Sequence, residues 1–409
     1  MNILFLFCSL GNLETDNALF GSLIKEFKRH GHNVFVSAKG KGISRTFLTE
    51  EAGIPVLRIQ SQDFTGVSNN MKKAIGYIEY SIKQVHYTKR YFKGEKIDLI
   101  VSHALPPELG YIAPKLKKAF KCPFYLITTE FTWQDAVVYG YFKKNGPIGL
   151  YYRYLEHALF KASDYIMVPL RGTIGYIKHH HPWVDERKFS VCQFWQIPQK
   201  VDRDSSIRKR LGIDDKFVVV YGGSVGQAQR VDHMVNLAEA VMDYPDIHFL
   251  LLGRGAKLNE IKQMVSDKRL TNFTFLDFMP QQEYLKLLAS CDAGLIILNE
   301  VHGSPNFPSK TSSYFNLQVP VLAAIDNITT YGEFLEETNT GLWSIAGDVE
   351  HFKQNLLKMY RNPSLCEQMK ENELDYFYSK MTTEYAYEVI VEQIKGDTKK
   401  RKYSVKAVL

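Results

Sequence analysis

Residues 299–324, NEVHGSPNFPSKTSSYFNLQVPVLAA, read as a ligand loop running into a helix and then a buried strand. Pro305 and Pro308 hold the backbone extended, and each pushes the residue before it out of the helical region. Ser309, Thr311 and Ser312 supply hydroxyls suited to capping a helix N-terminus, and Lys310 falls in the first turn. The macrodipole disfavours a cation there, so Lys310 is better placed if an anion binds beside it. A surface lysine on an ordinary helix start satisfies the same pattern. The apolar run Val319 to Ala324 has the character of a central parallel strand, which makes the unit α/β.

Working back through the same half, Phe217 to Tyr221 is a strand, followed by the turn Gly222-Gly223-Ser224-Val225-Gly226 and a helix from Val231. Strand, glycine turn and helix start form a phosphate cradle, because glycine lets backbone N–H groups approach an anion closely. It is not a P-loop, since the GxxxxGK pattern is absent. The strand Ile247 to Leu252 ends in Gly253-Arg254-Gly255, where Arg254 can clamp a phosphate. Phe273 to Leu276 leads into Asp277-Phe278-Met279-Pro280, and Gly294 to Leu298 leads into the opening stretch. Four successive strand ends thus carry a glycine turn, Arg254, an aromatic loop and Lys310. One anionic ligand lying across them explains the set.

The first half opens on a strand, Ile3 to Phe7, a loop at Gly11-Asn12, an amphipathic helix and a second strand at Val34. This βαβ unit lacks GxGxxG, which argues against a dinucleotide site. The strand Ile97 to Val101 delivers His103, and Phe124 to Thr128 delivers Glu130 and, a little later, Trp133. Carboxyl ends of parallel strands are where ligands bind, so His103 and Glu130 are candidates to contact substrate. A satisfied core histidine and a salt-bridged structural glutamate are the competing readings. Residues 71–93 form a helix with Tyr77, Tyr80, Tyr87, Tyr91 and Phe92 among Lys and Arg, which suits a membrane interface or a core helix with a wet edge. His179-His180-His181 reads as a turn, and neighbouring histidines point apart, which argues against a metal site. Asp202-Arg203-Asp204 spells DxD but precedes a helix, where capping is the plainer role.

A chain of 409 residues exceeds one core and predicts two domains, residues 1–198 and 199–380, followed by a terminal helix at 381–395 able to pack back on the first domain and a basic tail at 396–409. The five cysteines are odd in number and widely spaced, which predicts buried thiols in a reducing compartment. The start MNILFLFCSL has no basic n-region, and no run reaches the roughly 18 apolar residues of a membrane span, so a cytoplasmic location is expected. The net charge of +7 hides an asymmetry: residues 1–200 carry 27 Lys and Arg against 16 Asp and Glu, and residues 201–394 carry 18 against 27. A basic first half can face an anionic membrane or an acidic acceptor. No base-reading motif accompanies it, so nucleic acid is not expected.

Together YGGSVGQAQRVDHMVNLAEAV, FLLLGRGAKLNEI, FLDFMPQQEYLKLLASCDAGLIIL and FPSKTSSYFNLQVPVLA resemble the donor domain of GT-B glycosyltransferases of family GT4 across about residues 217–325. That group includes bacterial capsule and O-antigen enzymes such as the N-acetyl-fucosaminyl transferases. The GH-V turn, the strand ending at His103 and EHALFKASDYIMV fit the other half. The resemblance implies two Rossmann-like parallel-sheet domains facing a central cleft. It further implies retention of anomeric configuration, no metal and no cofactor, with a nucleotide-sugar donor, UDP-sugar foremost, on the second domain. A saccharide or polyprenyl-linked saccharide acceptor would sit on the first domain, the whole working at the inner face of the membrane. For donor binding it points to Gly222, Gly223, Ser224, Gly226, Arg230, Arg254, Phe278, Met279, Ser309, Lys310, Thr311 and Ser313. Lys310, His103 and Glu130 are the catalytic candidates, and Gly11, Asn12 and Trp133 the acceptor ones. The sequence departs from the family's paired glutamates, whose places hold Pro305 and Ser313, and from its Arg and Lys after the glycine turn, which appear as Ser224 and Gln229. Lys310 thereby becomes the main phosphate candidate, helped by Ser309, Thr311 and Arg254. A non-catalytic nucleotide-sugar-binding or partner-supporting GT-B protein and a UDP-sugar epimerase are the alternatives.

Overall fold

The computed structural model describes the chain except residues 63–69, 228, 278, 302 and 407–409, and leaves aside the side chains of 70–74, 132 and 397–406. Two compact units emerge: Met1–Ile197 with Thr383–Leu409, and Pro198–Thr382.

The first unit contains β1 (Asn2–Phe7), α1 (Leu19–Arg29), β2 (Asn33–Gly40), β3 (Phe47–Glu51), β4 (Ile54–Gln60), α2 (Asn70–Tyr91) and β5 (Leu99–His103). It continues with α3 (Leu109–Phe120), β6 (Phe124–Ile127), α4 (Thr132–Val138), α5 (Pro147–Ala162), β7 (Tyr165–Val168), α6 (Arg171–His180) and β8 (Phe189–Val191). The sheet order is β3-β4-β2-β1-β5-β6-β7-β8. All pairs are parallel except β3 with β4, a hairpin turned by Ala52 and Gly53 at φ +50° and +69°. Two successive positive φ values give the tight turn whose twist matches paired strands. The alternation of β1 sends Ile3, Phe5 and Phe7 to one face, against Leu23, Ile24 and Phe27, and Leu4 and Leu6 to the other.

The second unit runs α7 (Ser206–Leu211), β9 (Phe217–Ser224), α8 (Asp232–Ala240), β10 (Ile247–Arg254), α9 (Leu258–Asp267), β11 (Phe273–Leu276) and α10 (Gln281–Ala289). Then come β12 (Ala293–Ile297), α11 (Lys310–Leu317), β13 (Val321–Ile325), α12 (Tyr331–Thr338), β14 (Gly341–Ile345), α13 (Val349–Arg361) and α14 (Pro363–Lys380). Its sheet is wholly parallel, in the order β11-β10-β9-β12-β13-β14. The chain works outward from β9 on one side and from β12 on the other. The crevice beyond the carboxyl ends of that pair is therefore the topological place for a ligand.

The last helix, α15 (Thr383–Lys406), returns to the first unit, where Ala386, Tyr387, Ile390, Val391 and Ile394 join the core beside Phe27. It continues past 395, where the sequence reading ended it. His179 and His180 close α6 instead of forming a turn, and His181 bonds Glu156 at 2.9 Å. Asp204 accepts the Ser206 amide at the start of α7, at 2.8 Å. All five cysteines are free thiols. Among the described residues no helix is long and apolar enough to cross a membrane.

Candidate functional site

At the carboxyl edge of the second unit's sheet lies a cavity of ≈ 720 Å³. Gly222, Gly223 and Ser224 from β9, Arg254 from β10, and Asp277, Met279, Gln281 and Tyr284 from the β11–α10 segment line it. Leu251, Leu258, Phe275 and Leu276 make an apolar wall, and the Lys262 ammonium stands 5.7 Å from the Phe275 ring centroid. An apolar wall with basic groups at its edge suits a heterocycle joined to phosphates.

Two glycines are demanded by close approach. A Cβ on Gly222 would stand 2.1 Å from the Tyr284 hydroxyl, and one on Gly223, at φ +148°, would stand 2.7 Å from Lys310 Cε. Bare backbone thus lets the lysine close on the turn. Lys310 is the first residue of α11, and its Nζ lies 4.7 Å from the centroid of the Tyr221 ring. Among the described residues it makes no hydrogen bond or ion pair, and burial lowers its pKa to about 8. A shielded ammonium backed by a ring, with no carboxylate on it, is ready for a ligand oxyanion.

The cavity brings together Gly222, Gly223, Ser224, Arg254 and Met279 among the expected donor residues, with Lys310 against Gly223. Gly226, Arg230, Ser309, Thr311 and Ser313 do not line it, and Phe278 lies outside the described residues. Arg230 forks onto Asp232 at 2.9 and 2.8 Å and also bonds Glu300, so its guanidinium is held by carboxylates. The capping hydroxyls expected at α11 do not cap it. Ser309 occupies the N-cap position without a side-chain bond, Thr311 pairs with the Tyr331 hydroxyl at 2.8 Å, and Ser312 donates to the Ser309 carbonyl at 3.1 Å. Ser309 is already in helical conformation, which takes its hydroxyl out of capping geometry. Sequence reasoning passed over Tyr221, Lys262, Asp277, Gln281 and Tyr284. Asp277 adjoins a strand end and was findable there; nothing local marks the tyrosines.

The first unit has its own cavity, ≈ 930 Å³, at the carboxyl ends of β1, β2 and β4. Gly11 and Asn12 line it with Lys39, Phe47, Glu50 and Tyr77. Its wall is pinned by a buried pair: Arg58 donates to Glu51 at 2.8 and 2.6 Å and to the Leu10 and Gly11 carbonyls at 2.9 and 2.7 Å, while the Leu13 amide donates to Glu51 at 2.9 Å. One ion pair therefore holds three points of the β1–α1 loop. His103 lies outside this cavity, bonded to the Thr129 hydroxyl and 4.7 Å from the Phe20 ring, and burial lowers its pKa to about 4. Glu130 and Trp133 line a separate cavity of ≈ 30 Å³, and the Trp133 indole donates to Glu156 at 2.7 Å. Trp133 is buried there, so the geometry assigns it to packing and not to the larger cavity.

Residues 203–375 match the family model described as glycosyl transferases group 1. The probable glycosyltransferase WbjE of Pseudomonas aeruginosa is 22% identical over 250 residues, 60% of this chain and 61% of that protein. The putative colanic acid biosynthesis glycosyl transferase WcaI of Escherichia coli is 22% identical over 132 residues, 32% of each chain. The aligned stretches thus span less than two thirds of either relative's length. Among solved structures, Anabaena HepE in complex with UDP is similar at a TM-score of 0.69 and 15% identity, covering 97% of this chain and 100% of that one. At that identity the likeness speaks for the fold. The chain therefore has the GT-B fold, and its residues 203–375 are similar to the glycosyl transferases group 1.

Proposed function

We propose that the protein transfers a sugar, with retention and without metal, from a nucleoside diphosphate donor in the second unit's cavity to a saccharide acceptor on the first unit. The observation that carries this reading is Lys310, a shielded ammonium with no carboxylate partner among the described residues, set against the glycine turn at the cavity. Departure of the diphosphate leaves negative charge, and fixed cations stabilise it without reorganising. Lys310 and Arg254 supply that charge, with the Gly222–Ser224 backbone beside them. Met279 and Asp277 flank the base. The UDP bound to HepE supports a uridine donor.

The acceptor lies in the first unit's cavity, where Asn12 and Glu50 offer hydrogen bonds and Phe47 and Tyr77 offer ring faces to a pyranose. His103, neutral at physiological pH, and Glu130 stand at neighbouring strand ends outside that cavity, so the acceptor reading does not rest on them. The name of WcaI, a putative colanic acid biosynthesis glycosyl transferase, supports a place in polysaccharide synthesis. The proposed acceptor is a free or lipid-linked saccharide, met at the inner face of a membrane.

Calorimetric titration with UDP-, GDP- and dTDP-sugars, followed by donor consumption with a saccharide panel, tests the proposal. One donor class should saturate a single site and be consumed only with acceptor. Binding without turnover across the panel would leave a nucleotide-sugar-binding protein, and interconversion without acceptor would indicate an epimerase.

A further inference from the structure

The helix α2 was read from sequence as an aromatic and basic strip, but the structure buries the aromatic residues Tyr80 and Phe92 and exposes isoleucine instead. Tyr80 donates to the Phe7 carbonyl at 2.8 Å, Gln84 to the Ser37 carbonyl at 3.0 Å, and Thr88 pairs with the Ser37 hydroxyl at 2.7 Å. These bonds fix which face of α2 looks outward. On that face Ile75, Ile78 and Ile82 are 59%, 41% and 52% exposed. The same stripe continues through His86 to Lys89, Arg90 and Lys93, all exposed. Glu79 is the one carboxylate on this helix, and Lys83 neutralises it at 2.6 Å. Three branched apolar side chains in a row on water are costly to leave uncovered, and a row of this length marks a contact surface.

A second patch of the same composition lies in the same unit. Ile148, Leu150 and Tyr154 of α5 are 51%, 44% and 68% exposed, next to Lys143, Lys144 and Arg153. Both α2 and α5 pack against α3 within this unit.

We propose that this face, the Ile75-Ile78-Ile82 ridge with the start of α5, inserts at the interface of a bilayer carrying anionic lipid. An apolar ridge flanked by lysine and arginine is the pattern of an interfacial helix: the isoleucines enter the acyl boundary and the cations meet phosphate groups. A second copy of the chain fits worse. Residues 70–93 carry six Lys and Arg against one Glu, and residues 138–154 carry three against none, so two such faces would bring like charges together. The inference deepens the lipid-linked acceptor reading by naming the surface, and it stands on residues outside both cavities.

The test is co-sedimentation of the full chain with phosphatidylcholine vesicles, with and without phosphatidylglycerol, at low and high salt. Wild type should partition to the phosphatidylglycerol vesicles and weaken with salt. Ile75→Ser/Ile78→Ser/Ile82→Ser should lower partitioning about tenfold or more while UDP binding and thermal unfolding stay as in wild type. Lys89→Gln/Arg90→Gln/Lys93→Gln should flatten the salt dependence. Wild type remaining in the supernatant, the isoleucine variant sedimenting undiminished, or a wild-type dimer that this variant dissolves would each overturn the proposal. UDP binding is read separately, so its failure would strike the donor assignment and leave this surface untouched.

Discussion

Lys310 is the residue on which the proposed donor site rests, because of what does not touch it: its described partner is a tyrosine ring, and burial lowers its pKa to about 8. Lys310→Ala is expected to weaken donor binding by about 1.5–3 kcal/mol, the usual scale for a charge-assisted contact, read by calorimetry. The protonated form binds phosphate, so the lysine's contribution is full below about pH 8 and drains away above it. Wild-type affinity should therefore fall between pH 7 and 9, and the alanine variant's should stay flat. Gly223→Ala should cost donor affinity with the second unit still folded, because the new methyl group occupies the lysine's place. At the other cavity burial pushes the Glu51 carboxyl up, and the Arg58 guanidinium and the Leu13 amide more than offset it, leaving it below its ordinary value. Arg58→Met alone should cost about 3–5 kcal/mol in urea unfolding, since it strands a buried carboxylate, whereas adding Glu51→Leu should restore most of the loss.

Elements show where local patterns suffice and where they fail. The start of α11 was legible from Pro308 and the residues after it, but the partners of its hydroxyls were not. Thr311 is bound to Tyr331, on a helix beyond the next strand, and no local rule sees that pairing. The β3–β4 hairpin was missed because its turn is Ala-Gly instead of the usual Asn-Gly. In α14, Glu373 is fully buried with neither carboxylate oxygen hydrogen-bonded among the described residues, and burial raises its pKa well above 4.5. The native state thus keeps a proton that the unfolded chain releases, so this group makes stability fall as pH climbs above about 4.5. Glu373→Leu should raise the thermal midpoint at pH 8 and raise it less at pH 4.5, with differential scanning calorimetry as the measurement.

At the scale of the whole molecule, the first unit is completed by a helix nearly two hundred residues away in sequence. Phe27 and Tyr387 meet edge to face at 4.8 Å, and deleting residues 383–409 would uncover that core. The deletion should lower the first unit's unfolding midpoint while leaving UDP binding by the second unit in place, seen by calorimetry on the truncated chain. The sequence by itself determined the α/β class, much of the alternation of strands and helices, and the strand ends that carry glycine, Arg254 and Lys310, because hydrophobic periodicity and turn chemistry act over a few residues. Only the tertiary structure decided that Tyr221 lies under Lys310, that Arg230 is taken by Asp232 and Glu300, and that Ile75, Ile78 and Ile82 face outward. Each of those facts depends on which side chains long-range strand pairing and helix packing bring together, and sequence separation carries no record of that distance.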